Sequence, residues 1–286
     1  MTTIGIYEKA LPKDIDWKER LLLAKKLEFD FVEMSIDETD ERLQRLDWTK
    51  EERKEVREAI HETGVKILSI CLSGHRRFPF GSEDRSKRIE AMNLMGKAID
   101  LASDLGVRTI QLAGYDVYYE KKTLKSREYF IENLKKAVAM AAAKEIVLSI
   151  EIMDDPFINS ISKFLKIKDQ IRSPYLQVYP DVGNLSAWPE NDVGYELEIG
   201  IDQISAIHLK DTLAVTEQFS GKFKEVPFGS GCVDFLGCLK TLKRLEYNGP
   251  FLIEMWSENS ETPEKEIEQA KAFLFPYLKE AGYRDK

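Results

Sequence analysis

The sequence predicts an α/β protein closed into a single (β/α)8 TIM barrel, and three observations carry that prediction. Short apolar runs alternate with longer amphipathic segments from one end of the chain to the other, eight of each. The apolar runs do not alternate polar and apolar residues, so they suit strands buried on both faces of a parallel sheet. No composition break or Pro/Gly/Ser linker divides the 286 residues, so one domain over 1–286 is expected. Eight such units in a chain of this length close most economically into a barrel. A doubly wound open sheet is the alternative. It calls for a Gly-rich first turn, and EKALPKD after the first strand has none.

The elements follow in order. TIGIY (3–7) is the first strand, and WKERLLLAKKLE (17–28) has helical spacing. FDFVEMSI (29–36) is the second strand, and a short surface helix is expected around DETDERLQRLDWTK before the helix EERKEVREAIHETG. VKILSICLS (65–73) leads into helix 86–106, where Ile89, Met92, Met95, Ile99, Leu101 and Leu105 mark one buried face. VRTIQLAG (107–114) precedes helix 124–144, and IVLSIEIM (146–153) precedes helix 160–171. LQVYPDVG (176–183), ISAIHLK (204–210) and PFLIEMW (250–256) are the last strands, followed by helices 191–200, 233–246 and 263–281.

The bulk composition narrows the function. At 43% hydrophobic and 32% charged the chain is an ordinary globular protein. A net charge of −8 argues against a nucleic-acid surface, which needs a basic stripe, but leaves room for a local basic pocket. Cys71, Cys232 and Cys238 form no CxxC pair, and usage this sparse fits a reducing cytoplasm. The start MTTIGIYEKALPKD lacks the pattern of a signal peptide, and no apolar run approaches a membrane span. The expected partners are a small molecule and further copies of the chain, a dimer first, with no nucleic acid and no membrane.

Active sites of such barrels form at the C-terminal ends of the strands. Four successive strands end in or carry an acid or imidazole there: Glu151, Asp181, His208 and Glu254. Glu151 stands inside VLSIEIMDD, where a lone ionised carboxylate costs several kcal/mol. Three carboxylates and one imidazole at one mouth repel unless a divalent cation sits among them. Oxygen donors with one nitrogen suit Zn²⁺, Mn²⁺, Co²⁺ or Mg²⁺. Glu33 in FVEMS reads as a rim residue or substrate helper rather than a ligand, and His61 as a surface residue. His75 fits either a satisfied loop histidine or a substrate contact.

The segments GIYEKALP, FVEMSIDETD with LDW, CLSGHRRFPFGS, QLAGYDVYY, EIMDDPFINSISK, YPDVGNLSAW, HLKDT, VPFGSGCVDF and LIEMWSE together resemble the L-ribulose-5-phosphate 3-epimerase family. That is the L-xylulose-5-phosphate 3-epimerase of anaerobic L-ascorbate catabolism, within the xylose-isomerase-like barrels. The resemblance spans nearly the whole chain. It implies that Glu151, Asp181, His208 and Glu254 bind one divalent metal, and that Glu151 and Glu254 double as acid and base. In the non-phosphorylated ketose 3-epimerases a histidine stands three residues after the ligating aspartate. Here that position is Asn184, so the histidine's substrate role does not carry over directly.

Epimerising C3 of a 2-ketose removes a proton beside a carbonyl and returns one from the other face. A Lewis acid stabilises the enediolate, and two facing carboxylates exchange the proton. A phosphorylated substrate also needs a cationic grip. Lys9, His75, Arg76, Arg77 and Lys210 are the candidates, with Asn184 as a further contact. Arg76 or Arg77 pairing with Glu83 or Asp84 is the competing expectation. Segment 212–231 reads as a mobile lid or rim. Rival functions are an aldose–ketose isomerase, an endonuclease IV-like enzyme disfavoured by three histidines and acidic charge, and a non-catalytic sugar-phosphate-binding barrel.

Overall fold

Ile4–Tyr7 and Phe31–Ile36 are buried at every position, as strands without polar alternation should be. In the computed structural model, which describes residues 2–284, they are the first two strands of an eight-stranded parallel sheet. The strands are β1 (Ile4–Tyr7), β2 (Phe31–Ile36), β3 (Lys66–Leu72), β4 (Thr109–Ala113), β5 (Val147–Glu151), β6 (Leu176–Tyr179), β7 (Ile207–Leu209) and β8 (Phe251–Ile253). Their order is β6-β5-β4-β3-β2-β1-β8-β7. Between β6 and β7 the ring closes only through isolated parallel bridges, Val178 to Ile204 and Asp181 to His208. The result is a nearly closed (β/α)8 barrel, the expected fold.

The helices are α1 (Trp17–Lys26), α2 (Asp40–Leu43), α3 (Lys50–Thr63), α4 (Arg85–Leu105), α5 (Leu124–Ala142), α6 (Ile161–Ile171), α7 (Val182–Ala187), α8 (Val193–Gly200), α9 (Phe235–Arg244) and α10 (Pro263–Glu280). The short α2 is the expected surface helix. Helix α7 was not expected, because it begins within the segment read as the end of the sixth strand. Pro180 cannot donate to a ladder, and Asp181 Oδ1 accepts from Gly183 N (2.7 Å) and Asn184 N (3.0 Å), so the chain turns into a helix.

Apolar side chains of strands and helices form one main core, each fully buried Leu or Ile contributing about 1.5–3 kcal/mol, with smaller clusters around Tyr7, Phe31, Cys71 and Leu252 and around Ala113, Tyr115 and Met153. The buried face of α4 carries Ala91, Leu94, Met95, Ala98, Ala102 and Leu105. Ile89 is 59% exposed, contrary to expectation. At about 100° per residue it lies roughly 160° round the helix from Ala91, and the small alanines, not Ile89, let the helix seat on the barrel. Among the described residues, no helix is long and apolar enough to cross a membrane.

One irregularity bears on the site. Along β2 and β3, Val32 faces Ile67 but Glu33 faces Ser69, so Leu68 is passed over in a bulge. Bulges re-aim side chains. This one sets Glu33 beside Ser69, whose Oγ donates to Glu33 Oε2 at 2.5 Å.

Candidate metal centre

Glu151 ends β5, Asp181 follows β6, His208 lies in β7 and Glu254 follows β8 directly. The barrel brings all four together: one donor atom from each lies within 4.8 Å of the others, and all four residues are buried. The local sequence sets each orientation. Asp181 uses Oδ1 to cap α7, which leaves Oδ2 turned to the cluster. Glu151 accepts from the Gln111 amide through Oε2, leaving Oε1 3.2 Å from His208 Nδ1. Glu254 Oε2 lies 3.7 Å from the same nitrogen. Behind the imidazole, Glu33 Oε1 meets His208 Nε2 at 3.1 Å, and Tyr179 covers the ring at a centroid distance of 4.3 Å.

The electrostatics are those of a cation site. Four carboxyl groups, from Glu33, Glu151, Asp181 and Glu254, face one imidazole and the Lys210 ammonium. Lys210 Nζ reaches Asp181 Oδ2 at 2.5 Å and Glu254 Oε2 at 3.1 Å, yet neither oxygen has a hydrogen bond of good geometry. Burial, reinforced by Glu254 and Glu151, lifts the Asp181 carboxyl to about 7 against the pull of Lys210. Burial also pushes Glu254 upward, but Lys210 and His208 overcome it and hold that carboxyl down at about 2. One acid raised and its neighbour lowered is what two crowded carboxylates do. Burial opposes the His208 imidazolium, but Glu33, Glu254 and Glu151 outweigh it and drive its pKa well above the usual value. Enclosed oxygens without hydrogen bonds, set beside a nitrogen donor, fit a divalent ion such as Zn²⁺, Mn²⁺, Co²⁺ or Mg²⁺.

A sequence profile of the xylose isomerase-like TIM barrels matches residues 21–277. The SgbU protein of Escherichia coli strain K12 is 59% identical, covering 98% of each chain. The L-ribulose-5-phosphate 3-epimerase UlaE of Escherichia coli strain ATCC 8739 is 53% identical over 98% of this chain and 96% of its own. The chain belongs to the L-ribulose-5-phosphate 3-epimerase family of xylose isomerase-like TIM barrels. Its fold also matches a solved D-psicose 3-epimerase from Clostridium cellulolyticum H10, with a TM-score of 0.77 at 16% identity over 99% of both chains.

Within this family barrel, the other expected contacts scatter. Lys210 joins the metal cluster itself. Lys9 pairs with Asp37, whose carboxyl burial would raise but Lys9 and Thr39 hold at about 2. Arg77 is exposed and pairs with Asp40 (2.5 Å), not with Glu83 or Asp84. His75, expected as either a satisfied loop histidine or a substrate contact, has framework partners. It is buried, its Nε2 meets the Ala91 carbonyl of α4 at 3.0 Å, and its ring packs on Phe80. Asn184 is likewise buried, and its amide donates to the Ile152 carbonyl at 2.8 Å, tying α7 to the end of β5. Arg76 stays at the mouth, over the Tyr115 and Tyr118 rings.

Sequence reasoning missed Gln111 and undervalued Glu33. Both stand inside apolar strand segments, TIQLA and FVEMSI, which is the signal that exposed Glu151. Segment 212–231 forms a rim anchored by Asp211, which accepts from Gly229 N and Gly231 N at 2.9 Å each. Gly231 is required there: a Cβ would fall 2.0 Å from Asp211 Oδ1.

Proposed function

We propose that the protein epimerises C3 of a ketopentose 5-phosphate, interconverting L-xylulose 5-phosphate and L-ribulose 5-phosphate. The observation that carries this reading is the convergence of Glu151 and Glu254 in one buried donor cluster, within a chain 53% identical to UlaE. Glu151, Asp181, His208 and Glu254 would hold a single divalent ion, which when bound supplies Lewis-acid polarisation of the ketose carbonyl.

The chain's own residues do the rest. Glu151, steered by Gln111, and Glu254, steered by Lys210, exchange the C3 proton on opposite faces of the substrate. Glu33 and Tyr179 fix the His208 ring, so the quartet is set before substrate arrives. The Lys210 ammonium restrains the excess negative charge of Asp181 and Glu254. The enzyme works as a cytoplasmic homo-oligomer, which suits its free cysteines.

The test is an incubation of metal-loaded protein with L-ribulose 5-phosphate in deuterium oxide, followed by NMR. Solvent deuterium at C3 with inversion supports the reading. Interconversion of C1 and C2 would point to an aldose–ketose isomerase, and ligand binding without exchange to a non-catalytic barrel.

A further inference from the structure

The four donors of the quartet are buried, so an ion needs a way in. Between the rim and α10 lies a cavity of about 460 Å³ whose inner wall includes Glu254 and Lys210 of the cluster. Glu225 and Phe228 of the rim line its other end, together with Glu266 and Gln269 of α10. Exposure falls from one end to the other. Glu225 and Gln269 are exposed, Glu266 is half-buried, and Glu254 is only 7% exposed. The cavity therefore runs from solvent to one donor of the quartet.

Three carboxylates line this passage against one ammonium, that of Lys210. Among the described residues, neither Glu225 nor Glu266 makes an ion pair, and Glu266 accepts a hydrogen bond from the Ser260 hydroxyl. Glu225 stands in the left-handed region at φ 54°, uncommon for a residue with a side chain, and Lys222 Nζ donates to its carbonyl at 2.9 Å. At the inner end, Glu254 Oε2 is enclosed and has no hydrogen bond of good geometry. A buried carboxylate oxygen in that state favours a cation. Lys210, which spans Asp181 Oδ2 and Glu254 Oε2, also lies 5.7 Å from the Trp256 ring. That ring gives the ammonium a surface to lean on when an ion takes those oxygens.

We propose that this cavity is the route by which a divalent cation reaches the quartet, with Glu225 and Glu266 as its outer, transient ligands. The proposal rests on the reading of the quartet as a metal centre. Size and charge both favour the ion. A cation carrying six waters occupies about 200 Å³ at roughly 30 Å³ per water, so the cavity admits it before waters are exchanged for carboxylate oxygens. A phosphorylated ketose is an anion, and the same three carboxylates repel it.

The test uses the full chain with Glu225→Gln, Glu266→Gln and the double variant. Co²⁺ is mixed with chelator-stripped protein in a stopped-flow instrument, where the absorption of the bound ion reports uptake. Release is followed from the loaded protein in excess chelator. The double variant should take up Co²⁺ about tenfold more slowly at low ionic strength, with the gap closing in high salt. Release should slow by the same factor, because one route serves both directions. The equilibrium affinity and the turnover of the loaded enzyme then stay at the wild-type level. Wild-type rates of uptake and release in the double variant would overturn the proposal. So would a weaker equilibrium affinity, which would make the two carboxylates part of the bound site. A wild type that binds no Co²⁺ overturns the metal reading and the route together, whereas unaltered rates in a chain that does bind it overturn the route alone.

Discussion

Glu33 Oε1 sits 3.1 Å from His208 Nε2, on the far side of the imidazole from Glu151. A carboxylate behind the ring fixes which nitrogen carries a proton and turns the other toward the donor cluster. Such backing raises the ligand's basicity, and its loss typically lowers metal affinity about 10–100-fold. Glu33→Gln should therefore bind Zn²⁺ or Mn²⁺ that much more weakly, in competition with a chromogenic chelator. Unchanged affinity would show that the backing carboxylate does nothing for the ligand.

Glu151→Gln and Glu254→Gln keep the shape of the side chain and remove the proposed proton-transfer group. Each should lower turnover by about 10²–10⁴-fold or more while circular dichroism and thermal unfolding remain close to wild type. Near-normal turnover in either variant would sink the two-carboxylate mechanism.

Treatment with a chelator should abolish activity, and Mn²⁺, Zn²⁺ or Co²⁺ should restore it, each added to a chelator-free sample. Metal analysis by mass spectrometry must accompany the assay, because full activity in a demonstrably metal-free sample rules the cation out.

His75 gives the fold an acid limit. Burial holds its pKa down at about 4, against an ordinary value of 6.5. Below the ordinary value the unfolded chain takes up a proton that the native state refuses, so stability falls as pH drops from about 6.5 to about 4 and does not change on this account above that window. The full loss is on the order of 3 kcal/mol. His75→Gln should flatten this part of the profile in urea unfolding at pH 7.5 and pH 4.5. An unaltered pH dependence would assign the acid sensitivity elsewhere.

The barrel was readable from the chain because its strands are apolar on both faces and its helices carry a regular buried stripe. The quartet was readable because acids and an imidazole interrupt the last four apolar strands in register. What stayed hidden depends on partners far away in sequence. Whether His75 faces substrate or the Ala91 carbonyl is decided by how α4 seats, not by the residues beside it. Glu33 looked peripheral because the bulge that sets it beside Ser69, and the imidazole it meets 175 positions away, leave no local trace.

The ring is thinnest where its ends meet, since β6 and β7 touch through isolated bridges rather than a ladder. One of those bridges joins Asp181 to His208, so the ligand quartet draws on both lips of the gap. A cation held there would act as a rivet across a seam that backbone hydrogen bonds close at only two points, Ser205 N to Val178 O and His208 N to Pro180 O. Stripping the ion should then loosen the scaffold along that line first, so that catalyst and last fastening of the barrel are the same object.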